Sequence, residues 1–321
     1  MDLIDKKIIC ELDLNCRESR TKIARKLRIG RSVVDYRIKK LEDDKIIKNY
    51  ICSINLGLLG YNTYKVYFKI KNSKSDIEKR FLEALLKDKN VIHLLKTTGI
   101  FDYSATIAVK NIKELDEFIL GLKEEFKEFI MDYSISIIIY SRIFKLRKLL
   151  IGQREEILKI EKYSSDDLKE IIDEKDELIL KKLSQNANIS IIGLAEKTKL
   201  TLDIIKYRLK MLNNKRLINS YRVILDFNKL GYYHYVIMLR MRGASKSEEK
   251  KLIDWCVSNK RVLYCTKRIG DFDFEVNAAI TDINDFNTFF EDLKDNFGSL
   301  IDSYEIIINN KLMKLNYVPF N

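Results

Sequence analysis

Basic side chains are the residues of this chain that stand in a pattern able to do chemistry. Residues 20–50 hold eleven Lys and Arg against four Asp and Glu, and residues 191–221 hold seven against two. The two windows carry +7 and +5, which accounts for the whole formal net charge of +12. A positive field confined to two short segments suits contact with the phosphates of a polyanion. Other chemistries lack their residues. Five cysteines (Cys10, Cys16, Cys52, Cys256, Cys265) form no C-x-x-C pair and leave an odd one out, so neither a zinc site nor a disulfide framework is expected. The only histidines are His93 and His234. No phosphate-cradling glycine loop or Ser/His/Asp constellation stands out, and no cofactor or metal is expected.

The elements that position these cations occur twice. Sliding the chain by 171 residues aligns Asp5 with Asp176, Ala24 with Ala195, Tyr36-Arg37 with Tyr207-Arg208, Gly60-Tyr61 with Gly231-Tyr232, and Phe101-Asp102 with Phe272-Asp273, without a gap. A period of this length marks a duplicated module, because solenoid units repeat every 20 to 50 residues or so. Residues 147–172 have no counterpart and read as a charged linker, partly helical because Ser164-Ser165-Asp166-Asp167 fits a helix start. No run approaches the ~20 apolar residues of a membrane span. The N-terminus carries acids where a signal peptide needs cations, so a cytosolic protein with no membrane partner is expected.

Within each copy the apolar spacing changes partway. Ile8, Ile9 and Leu12, then Ile23, Ala24 and Leu27, then Val33, Val34, Ile38 and Leu41 have helical spacing, giving three short helices. Ile29-Gly30 separates the second helix from the third, and Thr201 is a good N-cap for the equivalent helix. This is a helix-turn-helix layout, and residues 46–54 read as its wing. From residue 63 the period becomes two: Tyr64, Val66, Phe68 and Ile70 alternate with Lys65, Tyr67, Lys69 and Lys71. Helices and strands then follow in the order βαββαβ, a ferredoxin-like sheet with helices on one face. A free apolar face in each copy implies that the two sheets stack. The expected class is α+β: winged helix-turn-helix domains at 1–60 and 173–231, each followed by a ferredoxin-like domain, at 61–146 and 232–321.

The ordered motifs Ile23-Ala24, Arg37-Ile38-Lys39-Lys40-Leu41-Glu42, Ile46-Ile47-Lys48-Asn49-Tyr50, Leu59-Gly60-Tyr61 and Gly99-Ile100-Phe101-Asp102-Tyr103 resemble the Lrp/AsnC (feast/famine) regulators, as do their second-copy counterparts. The resemblance covers nearly the whole chain outside the linker. It implies a covalently fused dimer that binds double-stranded DNA, responds to a small-molecule effector such as an amino acid, and associates into homo-oligomers. It is not expected to be an enzyme. Candidate DNA-contacting residues are Arg28, Arg31, Ser32, Tyr36, Arg37, Lys39, Lys40 and Lys48, with Thr201, Asp203, Lys206, Tyr207, Arg208, Lys210 and Arg216 in the second copy. Arg37 and Arg208 could equally brace their helix, and Tyr36 and Tyr207 could pack under the wing. The resemblance places the effector near Gly99, Asp102, Gly270, Asp271 and Asp273, although the glycines could simply form turns and Asp102 and Asp273 could cap them. The alternative is an enzyme resembling siroheme decarboxylases, which share this fold. Against it, His93 aligns with Tyr264 and His234 with Thr63, so the two copies lack a common histidine.

Overall fold

A computed structural model describes residues 1–71, 75–152, 160–162 and 169–320. Asp2, Ser19 and Gly30 open the first three helices, α1 (Leu3–Leu14), α2 (Arg20–Leu27) and α3 (Arg31–Asp43), and the Asp2 and Ser19 side chains accept backbone N–H groups that the first turn leaves free. Next come β1 (Ile47–Ile54), β2 (Asn62–Ile70), α4 (Ser75–Lys87), β3 (Val91–Gly99), β4 (Tyr103–Val109), α5 (Ile112–Phe126) and β5 (Ile130–Ile143). A short α6 (Leu146–Ile151) and β6 (Ile160–Lys162), paired with β5, fall in the linker region, while the expected helix start at 164–167 lies outside the described residues. The same order then recurs: α7 (Glu174–Gln185), α8 (Ile191–Thr198), α9 (Leu202–Asn214), β7 (Ile218–Leu225), β8 (Tyr233–Met241), α10 (Lys246–Ser258), β9 (Val262–Gly270), β10 (Phe274–Ile280), α11 (Ile283–Phe297) and β11 (Ile301–Leu315).

Two features differ from the sequence reading. The wing is not built within one copy: β1 pairs antiparallel with β7, Ile47 opposite Leu225 and Ile54 opposite Ile218, so both halves share one two-stranded ribbon. Each copy supplies only one strand there, and its ladder groups find partners only in the other copy. The free faces of the two larger sheets do meet, with Tyr67 and Phe101 of one half packed against Val236, Met238 and Phe272 of the other, but the sheets are also continuous. They join at their edges, β5 to β9 and β11 to β3, and β2 also pairs with β5. The ring β2-β4-β3-β11-β8-β10-β9-β5 therefore closes on itself as an eight-stranded antiparallel barrel, which leaves none of those strands with a free edge.

The helices cover the outside of the barrel. Phe68, Phe81, Leu85 and Phe126 form one outer core, and Phe274, Phe289, Leu252 and Leu293 the other. The face expected to be apolar and stacked is the barrel interior, and much of it is polar: Lys65, Thr106, Arg268, Glu275 and Asn277 alternate with the outer-core residues and are buried. Part of this polar set is satisfied internally: the Tyr67 hydroxyl donates to Glu275 across the lumen, and Asn277 donates to Glu275 along its own strand.

Candidate nucleic-acid interface and cavity

Helix α3 packs inward through Val34, Ile38 and Leu41, which turns its other side to solvent. Arg31, Ser32, Tyr36, Lys39 and Lys40 are all exposed there. Arg28 joins them from the left-handed C-cap of α2, at φ 56°. On the equivalent side of α9, Asp203, Lys206, Tyr207 and Lys210 are exposed, with Thr201 capping the helix and Arg216 just beyond it. Tyr36 and Tyr207 are 69% and 65% exposed, so neither packs under the ribbon. Neighbouring charge differs between the copies: Arg31 lies 3.5 Å from Asp35, whereas Lys206 lies 3.7 Å from Asp203. Lys48 pairs with Asp226 at 2.9 Å across the ribbon.

Arg37 and Arg208 are engaged elsewhere. The Arg37 guanidinium donates to Asp2 at 2.6 Å and Asp5 at 2.8 Å, and Arg208 repeats this with Asp173 at 2.6 Å and Asp176 at 2.9 Å. Each arginine thus ties its third helix to the N-terminus of its first, where acids also suit the helix dipole. The bracing alternative is the one realised in this structure.

Of the residues expected near an effector, Gly99, Gly270 and Asp271 sit where the two halves join. Gly99 and Gly270 lie at the edge junctions with φ of 134° and 146°, and a Cβ there would meet the carbonyl oxygens of Ile306 and Ile135 at 2.6 Å. Asp102 accepts the Ile70 N–H at 2.9 Å and Asp273 the Met241 N–H at 2.7 Å, so both cap the ends of strands. Asp271 accepts from the Ser134 hydroxyl of the other half at 2.6 Å. Phe101 stacks on Tyr67 and clusters with Phe272.

None of Gly99, Asp102, Gly270, Asp271 and Asp273 lines the partly open cavity of about 270 Å³ where the β1/β7 ribbon covers one end of the barrel. Ile51, Leu225, Leu263 and Leu312 form apolar walls, and Lys65, His93, Thr106, His234, Tyr264 and Glu275 form a polar side. The Glu275 carboxylate accepts from Arg268, from the Tyr67 hydroxyl at 2.7 Å and from the Asn277 amide at 2.7 Å. Burial alone would raise its pKa, but Arg268 and Lys65 outweigh that and hold it near 2. Burial lowers Lys65 to about 8. Burial also lowers His93 to about 3, helped by Lys65 and His234, and it lowers His234 to about 4 against the Asn277 bond at 2.9 Å. Both rings are therefore neutral near pH 7.

Sequence alone marks His93 and His234 as candidates for the enzyme alternative but does not join them to Lys65 and Glu275. His93 and His234 occupy different positions in the repeat, yet the barrel turns both into one cavity. Lys65 sits in an alternating strand and looks like a solvent-facing lysine. A charged residue inside each of three alternating strands, Lys65 in β2, Arg268 in β9 and Glu275 in β10, was the available signal, but only the closure of the barrel gives it meaning.

Residues 1–48 match the family model for winged helix-turn-helix DNA-binding domains. The chain is 31% identical over 121 residues to the HTH-type transcriptional regulator FL11 of Pyrococcus furiosus, covering 37% of this chain and 78% of that protein. It is 32% identical over 120 residues to the HTH-type transcriptional regulator Ptr1 of Methanocaldococcus jannaschii, covering 37% and 79%. Among solved structures the siroheme decarboxylase NirDL has the same fold, with a TM-score of 0.62 at 12% identity over 99% of this chain and 94% of that one. The exposed basic third helix, the matched domain and these relatives agree, and the chain belongs to the HTH-type transcriptional regulators represented by FL11 and Ptr1, the Lrp/AsnC-like regulators that its motifs resemble.

Proposed function

We propose that the chain is a fused pair of regulator modules that reads a specific duplex DNA site with α3 and α9, answers to a small-molecule effector, and has no enzymatic activity. The observation that carries this reading is the recurrence of an exposed third helix flanked by unburied cations in each half, held to its domain by the same arginine brace. Most protein–DNA hydrogen bonds go to phosphates, which Lys39, Lys40, Lys210 and Arg216 suit, while Arg31 and Ser32 lie at the helix start, where base edges are read. The test is a mobility-shift titration against genomic sites, comparing the unmutated chain with a variant carrying Arg31→Ala, Lys39→Ala, Lys40→Ala and Lys210→Ala. Binding should be lost with the helical circular dichroism unchanged. Undiminished binding by the variant would remove the reading.

One observation favours a second reading, a siroheme decarboxylase-like enzyme: His93 and His234 meet in one cavity within a fold shared with NirDL. The cavity volume of about 270 Å³ lies just below the usual range for small-molecule sites, so a tetrapyrrole would have to extend out through the cavity's open side. Incubating the chain with iron-uroporphyrin III should leave the Soret band unshifted. A saturable shift abolished by His93→Phe would favour the enzyme.

A further inference from the structure

We propose that the cavity beneath the ribbon binds one small net-anionic acid per chain, an apolar body ending in a carboxylate that lies against the Lys65 ammonium, and that it discriminates against zwitterionic amino acids. The inference deepens the effector reading above by naming the effector's chemical class.

The argument begins with buried charge. Lys65, Arg268 and Glu275 are 7%, 0% and 5% exposed, and among the described residues they are the charged groups of the cavity's polar side and the lumen behind it. Arg222, at the cavity roof, is paired with Asp13 at 2.7 Å. Two cations therefore face one carboxylate, and the neutral histidines add no charge. An unbalanced buried charge is costly unless something neutralises it. Arg268 and Glu275 are in direct contact, whereas the Lys65 ammonium has no hydrogen-bond partner among the described residues and lies 5.7 Å from the Tyr67 ring. The surplus positive charge thus sits on a side chain that lines the cavity.

Chemistry then narrows the ligand. The walls formed by Ile51, Leu225, Leu263 and Leu312 suit an aliphatic or aromatic body, and the volume suits a molecule smaller than a typical drug. A zwitterion would bring an ammonium of its own. The carboxylate able to receive it is Glu275, which already accepts from Arg268, Tyr67 and Asn277. One cavity serves both halves, because repeat equivalents such as Ile92 and Leu263 or Ser141 and Leu312 line it together; the positions equivalent to Lys65, Arg268 and Glu275 are Val236, Thr97 and Ser104, so its charge is on one side only.

The experiment is isothermal titration calorimetry of the full chain at pH 7, without DNA, using 3-phenylpropanoate, 3-phenylpropanamide and phenylalanine, and repeated with 4-methylpentanoate and leucine. We expect one site per chain, with an acid bound at least about tenfold more tightly than its amide or its amino acid. Lys65→Met should erase that preference and raise the melting temperature of the free protein, since it removes the surplus charge. A purely structural lysine would instead lower the melting temperature when replaced. Leu95→Phe fills the cavity from β3, leaves every charge in place, and should weaken the acids too; it keeps the test decisive even where Lys65→Met does not fold. Equal binding of acid and amino acid, two sites per chain, unchanged affinity in Lys65→Met, or no binding of either acid at millimolar concentration would overturn the proposal. Acid binding that leaves DNA affinity unaltered would keep the cavity assignment and sink the effector reading.

Discussion

Arg37 and Lys39 stand two residues apart on α3 and have separate tasks. The first joins two acids of α1, and the second is exposed with no ion pair among the described residues. Arg37→Ala should therefore lower the melting temperature of the chain, whereas Lys39→Ala should leave it unchanged and reduce the salt dependence of DNA binding by about one phosphate contact. Thermal melts and binding isotherms at several salt concentrations separate the two effects. Gly99→Ala and Gly270→Ala should each destabilise the free protein, with the backbone alone contributing about 1–3 kcal/mol, because the positive φ and the facing carbonyl leave no room for a Cβ. A loss confined to ligand affinity, with unchanged denaturation, would show that these glycines serve an effector instead. The cavity histidines give a third outcome. Unfolded histidine takes up a proton near 6.5, while His93 and His234 resist until about 3 and 4. The unfolded chain binds more protons between those values, so stability is full above pH 6.5 and falls with decreasing pH, by up to about 1.4 kcal/mol per unit for each histidine. Urea midpoints at pH 7 and pH 5 should differ, and His93→Phe should narrow the difference.

At the scale of elements, α3 and α9 present the same scaffold with different starts. Gly30-Arg31-Ser32 faces Thr201-Leu202-Asp203 in the repeat, and Asp203 is 96% exposed in its side chain. Shared phosphate positioning with different base-reading positions predicts an imperfect palindrome whose half-sites lie about one helical turn or a multiple apart. Replacing Arg31-Ser32 by Leu-Asp should make the selected site more symmetric and cost about 1–3 kcal/mol on the original site. Selection from random duplexes would show it, and a perfect palindrome chosen by the unmutated chain would count the divergence as without effect on reading. The ribbon adds a second point. Because β1 and β7 belong to different halves and also roof the cavity, the two DNA-reading units are joined through the wall that a bound ligand would touch.

For the whole molecule, barrel closure makes each half dependent on the other. Residues 1–152 alone would leave β1 unpaired and β3 and β5 each with an open edge, and would expose Lys65 and Tyr67. Such a fragment should aggregate or self-associate, while co-expression with residues 153–321 should give a copurifying pair; a monodisperse, cooperatively melting fragment would contradict this. Further association of complete chains, as the resemblance implies, has to use the helix-covered exterior, because the barrel strands are all paired. Light scattering at micromolar concentration tests it, and a strictly monomeric mass near 37.9 kDa would exclude it.

Local spacing by itself determined the helices, the strands and their duplication, since periods of 3.6 and two depend only on which side chains must be covered. The charge windows likewise marked the third helices, because exposed cations need no distant partner to be recognised. Tertiary structure decided everything that depends on residues far apart in sequence. Tyr36 and Arg37 are neighbours in a basic helix, yet only the packing of α1 against α3 makes one exposed and the other a brace. An alternating strand with Lys65 looks half-solvated, and closure across 171 residues of repeat turns its polar face inward. His93 and His234 occupy unrelated positions in the repeat and become cavity neighbours for the same reason: edge pairing between halves is set by long-range geometry, which no local period encodes.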